Sequence, residues 1–80
     1  MKYAVVIEKG SRNYSAYVPD VEGCVAAGKT VQETLDLLRD ALRMHFEAMC
    51  EDGEPIPDPL SLCDYVDVEI PARAPSPQTA

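Results

Sequence analysis

The side chains able to do chemistry in this 80-residue chain are three cysteines, one histidine and a scatter of carboxylates. Cys24, Cys50 and Cys63 stand far apart, form no C-x-x-C pair and share no zinc-type spacing with His45. Reduced cytosolic thiols are the expectation. Cys24 has no cationic neighbour to lower its pKa, and Cys50 is followed by acidic residues that oppose thiolate formation. His45 has no nearby Ser or Cys with the logic of a triad. A Mg²⁺ site would have to draw on Glu8, Asp20, Glu22 and Asp64, two of which fall in turns, and nothing in their spacing makes them converge. The chain lacks G-x-x-x-x-G-K-[ST], G-x-G-x-x-G and G-x-S-x-G. The expectation is a protein that is not an enzyme and carries no cofactor and no metal.

Charge points to a partner instead. Seven basic residues face fourteen acidic ones, for a net charge of −7 and a pI near 4.4. Binding to nucleic-acid phosphates needs clustered Lys and Arg, so direct DNA binding is not expected. A basic protein surface suits this chain better. The acidity is local: residues 30–60 hold two basic and eight acidic residues, whereas residues 1–29 hold four basic and three acidic. Glu51, Asp52, Glu54 and Asp58 form its densest part. The longest early apolar run, Tyr3 to Ile7, is too short for a signal-peptide core or a membrane span. The expected setting is the cytoplasm, with no membrane contact.

The elements that must position these groups follow from periodicity. Lys2 to Glu8 alternates as a strand, Gly10-Ser11-Arg12-Asn13 is a turn cluster, and Tyr14 to Val18 reads as a second strand. Pro19 to Gly23 breaks it, and Cys24 to Gly28 is a short third strand. Thr30-Val31-Gln32-Glu33 is a capping box that opens a helix over about Val31 to Glu51, closed near Gly53. Pro55, Pro57 and Pro59 enforce an extended connection. Tyr65 to Ile70 then alternates as a half-buried fourth strand. The expectation is an α+β fold of order β-β-β-α-β, a small mixed sheet with one long helix on one face. Residues 1–70 form the domain, and 71–80 form a disordered tail.

The helix is more apolar than one sheet face requires. Val31, Leu35, Leu38, Leu42, Phe46 and Met49 form one stripe, and Leu37, Ala41, Met44 and Ala48 a second beside it. Together they span roughly 200° of arc, against about 100° for a helix on one face. The second stripe packs under the loop or tail, or it is an interface. A chain this short buries only about 60–65% of its unfolded surface, which favours a homo-oligomer, a dimer or tetramer, with Leu37, Ala41, Met44 and Ala48 at the interface.

Several short pieces, taken in order, define a resemblance. They are YAVVIE at Tyr3 to Glu8, Y-V-P-D at Tyr17 to Asp20 with Gly23-Cys24 after it, G-x-T-x-x-E at Gly28, Thr30 and Glu33, then Ala41, and EDGEPIP from Glu51 to Pro57. With this set the chain resembles the HicB-type antitoxins of bacterial and archaeal toxin–antitoxin modules, over about residues 2–60. The resemblance implies a reduced ribonuclease-H-like fold. It also implies a role, the neutralising of a small basic mRNA-cleaving toxin (HicA) by occlusion of its RNA-binding or catalytic face. Many members carry a C-terminal DNA-binding domain; here the chain ends about ten residues after the fourth strand, so operator binding is not expected. The ribonuclease-H carboxylate set is not matched, and nuclease activity is not carried over. The toxin-contact candidates are Tyr14, Tyr17, Asp20 and Glu22, with Glu51, Asp52 and Glu54 in the acidic cluster. The alternatives are an orphan self-assembling module without a toxin and, more remotely, a degenerate metal-dependent nuclease.

Overall fold

The computed structural model describes residues 1–72. Four elements form: β1 (Val6–Lys9), β2 (Tyr14–Tyr17), β3 (Val25–Gly28) and α1 (Val31–Glu51). The strands make one antiparallel sheet in the order β1-β2-β3, with Val6 opposite Tyr17 and Tyr17 opposite Val25. The β1–β2 loop is closed by the Gly10 amide donating to the Asn13 carbonyl at 2.7 Å. At the end of β2, Pro19 and Asp20 occupy the centre of a turn in which the Val21 amide donates to the Val18 carbonyl at 3.1 Å. Proline presets the φ that the first central position of such a turn needs.

The helix has the bounds its capping signals require. The Thr30 hydroxyl accepts the Glu33 amide at 3.0 Å, as a capping box does. The Glu33 carboxylate accepts the Lys29 amide at 2.6 Å, one residue earlier than the Thr30 amide that the motif specifies. At the other end, the Gly53 amide donates to the Cys50 carbonyl and the Glu54 amide to the Met49 carbonyl, with Gly53 at φ 74°. This Schellman pairing satisfies carbonyls that the last turn would otherwise leave unbonded, and glycine takes the left-handed φ without a Cβ penalty.

α1 packs across β3 and β2. Ala16, Val18, Val21, Cys24 and Leu38 form the buried core, flanked by Tyr3, Val5, Ala26, Ala41, Leu42 and Phe46. Thr34 is fully buried where the helix starts, and its hydroxyl donates to the Thr30 carbonyl at 2.7 Å. It faces Gly28, where a Cβ would stand 2.8 Å from Thr34 Oγ1 and 3.0 Å from its amide nitrogen. The close approach of helix to strand is the reason for glycine there.

Three expectations need correction. Residues 65–70 join no sheet, so the fourth strand is absent among the described residues and the sheet is purely antiparallel rather than mixed. Alternation gives a segment the capacity to be a strand, but pairing also needs a covered edge. α1 packs on β3 and β2, and Ile7 on β1 is 37% exposed. Secondly, β1 begins at Val6 rather than Lys2, because the hairpin ladder ends with the Val6–Tyr17 pair. Thirdly, β3 begins at Val25 rather than Cys24, since Val25 is the last residue opposite β2. Of the tail, residues 73–80 lie outside the described residues.

Candidate functional site

The acidic cluster lies at the C-terminal end of α1. Glu51, Asp52, Glu54 and Asp58 are all exposed. The last turn contains no basic residue. A helix C-terminus carries the negative end of the macrodipole, so each acidic group there opposes folding by about 0.3–1 kcal/mol at low salt. The other charges on α1 are conventional. Arg39 pairs with Asp36 at 3.3 Å, and Arg43 with Glu47 at 3.5 Å and Asp40 at 3.8 Å, all of them solvated.

Beside the acidic end lies an open groove of about 660 Å³, lined by Met1, Phe46, Cys50 and Ile56 with Arg43, Glu47 and Glu51 at its rim. Phe46 holds its position through Tyr3, with ring centroids 5.5 Å apart. The Tyr3 hydroxyl in turn donates to the Pro57 carbonyl at 2.5 Å. An apolar floor beside several carboxylates is the composition of a protein-docking site, where the floor supplies burial and the rim supplies selectivity. The sequence pattern had counted Phe46 as ordinary core. Only the return of the proline-rich segment makes it a groove wall.

The second set of candidates divides. Tyr17, Asp20 and Glu22 line a shallow hollow of about 530 Å³ formed by residues 17–25. Tyr14 does not join them. It is half-buried on the helix-facing side of β2, with Ala16, whereas Tyr17 projects from the opposite face at 42% exposure. The two tyrosines are three residues apart, and an odd separation along a strand places side chains on opposite faces. Asp20 has a structural task as well. Its carboxylate accepts the Ser61 amide and the Ser61 hydroxyl, both at 2.8 Å. These two bonds hold its pKa below the ordinary 3.8. Asp20 thereby ties the turn after β2 to the segment after the helix, a role hidden by a separation of 41 residues.

Leu37, Met44 and Ala48 of the second helical stripe are exposed, Leu37 and Met44 at 45% and 59%. Ala41 instead packs against the core. Among the described residues no group of three or more His, Cys, Asp or Glu side chains gathers to hold a metal ion. Cys24 is buried, and burial pushes its thiol pKa up, away from nucleophilic use. Cys50 and Cys63 are exposed, and all three cysteines are free. No helix among the described residues is long and apolar enough to cross a membrane.

Comparison with known proteins places this geometry. The model of the HicB-like antitoxins of bacterial toxin–antitoxin systems matches residues 3–70. A 14.9 kDa protein from the rep-hol intergenic region of Haemophilus phage HP1 is 38% identical over 66 residues, covering 82% of this chain and 50% of the phage protein. A UPF0150 protein of Thermoplasma acidophilum is 38% identical over 58 residues, covering 71% of this chain and 84% of that protein. Antitoxin HicB 1 of Photorhabdus laumondii is 37% identical over 73 residues, covering 88% of this chain and 46% of the antitoxin. The chain thus spans about half the length of the phage and Photorhabdus relatives. Among solved structures, a chain of the HicA3 and HicB3 toxin–antitoxin complex aligns with a TM-score of 0.62 at 33% identity, covering 71% of this chain and 66% of that one.

Proposed function

The chain belongs to the HicB-like antitoxin family, and from that premise we propose that it is a non-enzymatic antitoxin that binds a small basic HicA-type mRNA-cleaving toxin and covers its RNA-binding face. One observation carries the mechanism. The end of α1 concentrates Glu51, Asp52 and Glu54 where the helix dipole disfavours them, with no basic residue in the last turn to offset them. Charges kept against the interest of the fold make sense when a partner neutralises them.

A face that binds RNA presents cations spaced for phosphates. Carboxylates on a rigid helix end compete for the same cations, speed encounter by steering and fix orientation. The neighbouring apolar groove then supplies the buried contact that slows release. Tyr17, Asp20 and Glu22 form a second contact region in this reading. The cytoplasm, where mRNA is the toxin's target, is the proposed place of action. Three antiparallel strands followed by one helix are compatible with a reduced ribonuclease-H-like unit over residues 1–70, and we read the chain as keeping that frame without nuclease chemistry.

The test is co-purification and calorimetry of the full chain with a HicA-type toxin, with an RNA-cleavage assay. Wild type should bind and abolish cleavage. The E51K/D52K/E54K triple variant should weaken binding at least ~100-fold, about 2.7 kcal/mol, and restore cleavage. Full toxin activity in the presence of saturating wild-type chain would overturn the proposal.

A further inference from the structure

We propose that Tyr3 is the positioning residue of the apolar groove: its ring backs the Phe46 wall, its hydroxyl holds the strap that carries the Ile56 wall, and the lifetime of a docked partner depends on that hydrogen bond. That the occupant is a toxin rests on the antitoxin reading; the bracing of the groove does not.

The two walls stand on very different supports. Phe46 belongs to the regular helix α1. Ile56 belongs to the strap after it, which joins no helix or strand. Among the described residues no backbone–backbone hydrogen bond fixes residues 55–64. The strap is tied to the body by side chains instead: the Tyr3 hydroxyl to the Pro57 carbonyl, the Asp20 carboxylate to Ser61, and the Cys63 thiol to the Val5 carbonyl at 3.4 Å. The Asp20 and Cys63 ties lie well past Ile56 in the chain, whereas the Tyr3 tie is on the very next residue.

Ile56 is thus pinned from both sides. Before it, the Glu54 amide donates to the Met49 carbonyl at 2.8 Å. After it, Tyr3 holds Pro57. Between the pins the rings of Pro55 and Pro57 preset φ, so little torsional freedom is left to the short span. Exposure follows the same pattern: Ile56 and Pro57 are half-buried, and Pro55 and Asp58 on either side of them are exposed. Without the Tyr3 tie, Ile56 would be free to swing about the Glu54 pin.

Tyr3 is placed for both tasks. It packs against the buried core. Its ring meets Phe46 at a centroid distance of 5.5 Å and a tilt of 47°, a separation at which aromatic rings attract. One side chain therefore connects the helix wall to the strap wall. The consequence for binding is kinetic. Glu51, Asp52 and Glu54 act at encounter, because charge sets the association rate. The apolar walls act after encounter, because differences between related interfaces lie mostly in dissociation. A brace that shapes only the walls changes how long a partner stays, not how fast it arrives.

The test uses Tyr3→Phe in the full chain, which keeps the ring on Phe46 and removes only the hydroxyl. In the free chain, methyl NMR should show the Ile56 signals displaced in Y3F, with helix content by circular dichroism unchanged. This arm needs no toxin. With a HicA-type toxin in surface plasmon resonance, Y3F should raise the dissociation rate about 3- to 10-fold, the worth of one hydrogen bond. The association rate and its salt dependence should stay as in wild type. Ile56→Ala should also speed dissociation, and Y3F/I56A should dissociate no faster than I56A alone, because Tyr3 acts through Ile56. If wild type fails to bind the toxin while Y3F displaces Ile56, the antitoxin reading falls and the brace stands. Ile56 signals unmoved by Y3F, an effect confined to the association rate, or additive losses in the double variant would overturn the proposal.

Discussion

The two ends of α1 differ in how they treat their own backbone. At the N-terminus every local choice favours folding: Thr30 caps, Glu33 places a carboxylate on the positive end of the dipole, and Thr34 seats the helix against Gly28. At the C-terminus the hydrogen bonding is equally complete, with a Schellman pairing through Gly53, but the charges are wrong for the helix. Glu51, Asp52 and Glu54 face the negative end of the dipole, with no basic residue in the last turn. One end is built for stability alone. The other accepts a local cost for a charge pattern that the fold does not need, and on that ground it is the end we propose for the partner.

This contrast can be broken at either end. The largest effect on stability should come from Gly28→Ala. The new Cβ would meet the oxygen and amide nitrogen of Thr34, and forcing strand and helix apart should cost about 1–3 kcal/mol in urea unfolding. Thr30→Ala should cost about 1 kcal/mol by loss of the cap. At the other end the sign should reverse: E51Q should stabilise the isolated chain by about 0.3–1 kcal/mol at low salt, with the gain shrinking as salt rises. A loss of stability in E51Q would remove the argument that this end is kept for binding.

The smallest effect concerns the clasp between the two regions. The folded-state pKa of Asp20 is depressed by Ser61. The clasp therefore contributes fully above the ordinary 3.8 and is lost as pH falls through the lower folded value. Comparing Asp20→Asn with wild type by urea unfolding, the difference should be level from neutral pH down to about 5 and shrink below 3.8. A difference that grew on acidification would refute the assignment.

Much of the candidate site was legible because its signals are local. The helix bounds came from Thr30, Glu33 and Gly53, and the acidic cluster came from simple counting. Tyr14 and Tyr17 were grouped as contact candidates, although their odd separation along a strand places them on opposite faces. Asp20 was read as a contact residue, and the structure shows its carboxylate binding Ser61, a partner that no local pattern announces. Phe46 became the wall of a groove because Met1, from the start of the chain, and Ile56, from the segment after the helix, line it as well.

What the sequence determined by itself is everything enforced within a few residues: three short strands, the turns between them, a capped helix over Val31–Glu51, and an excess of negative charge at its end. Hydrogen bonding and dihedral preference act over that range. What only the tertiary structure decided is where the helix lies on the sheet. It packs on β3 and β2, and residues 65–70, which alternate as a strand does, join no sheet. A strand requires an edge to pair with and a surface to cover its apolar face, and both depend on the placement of other elements.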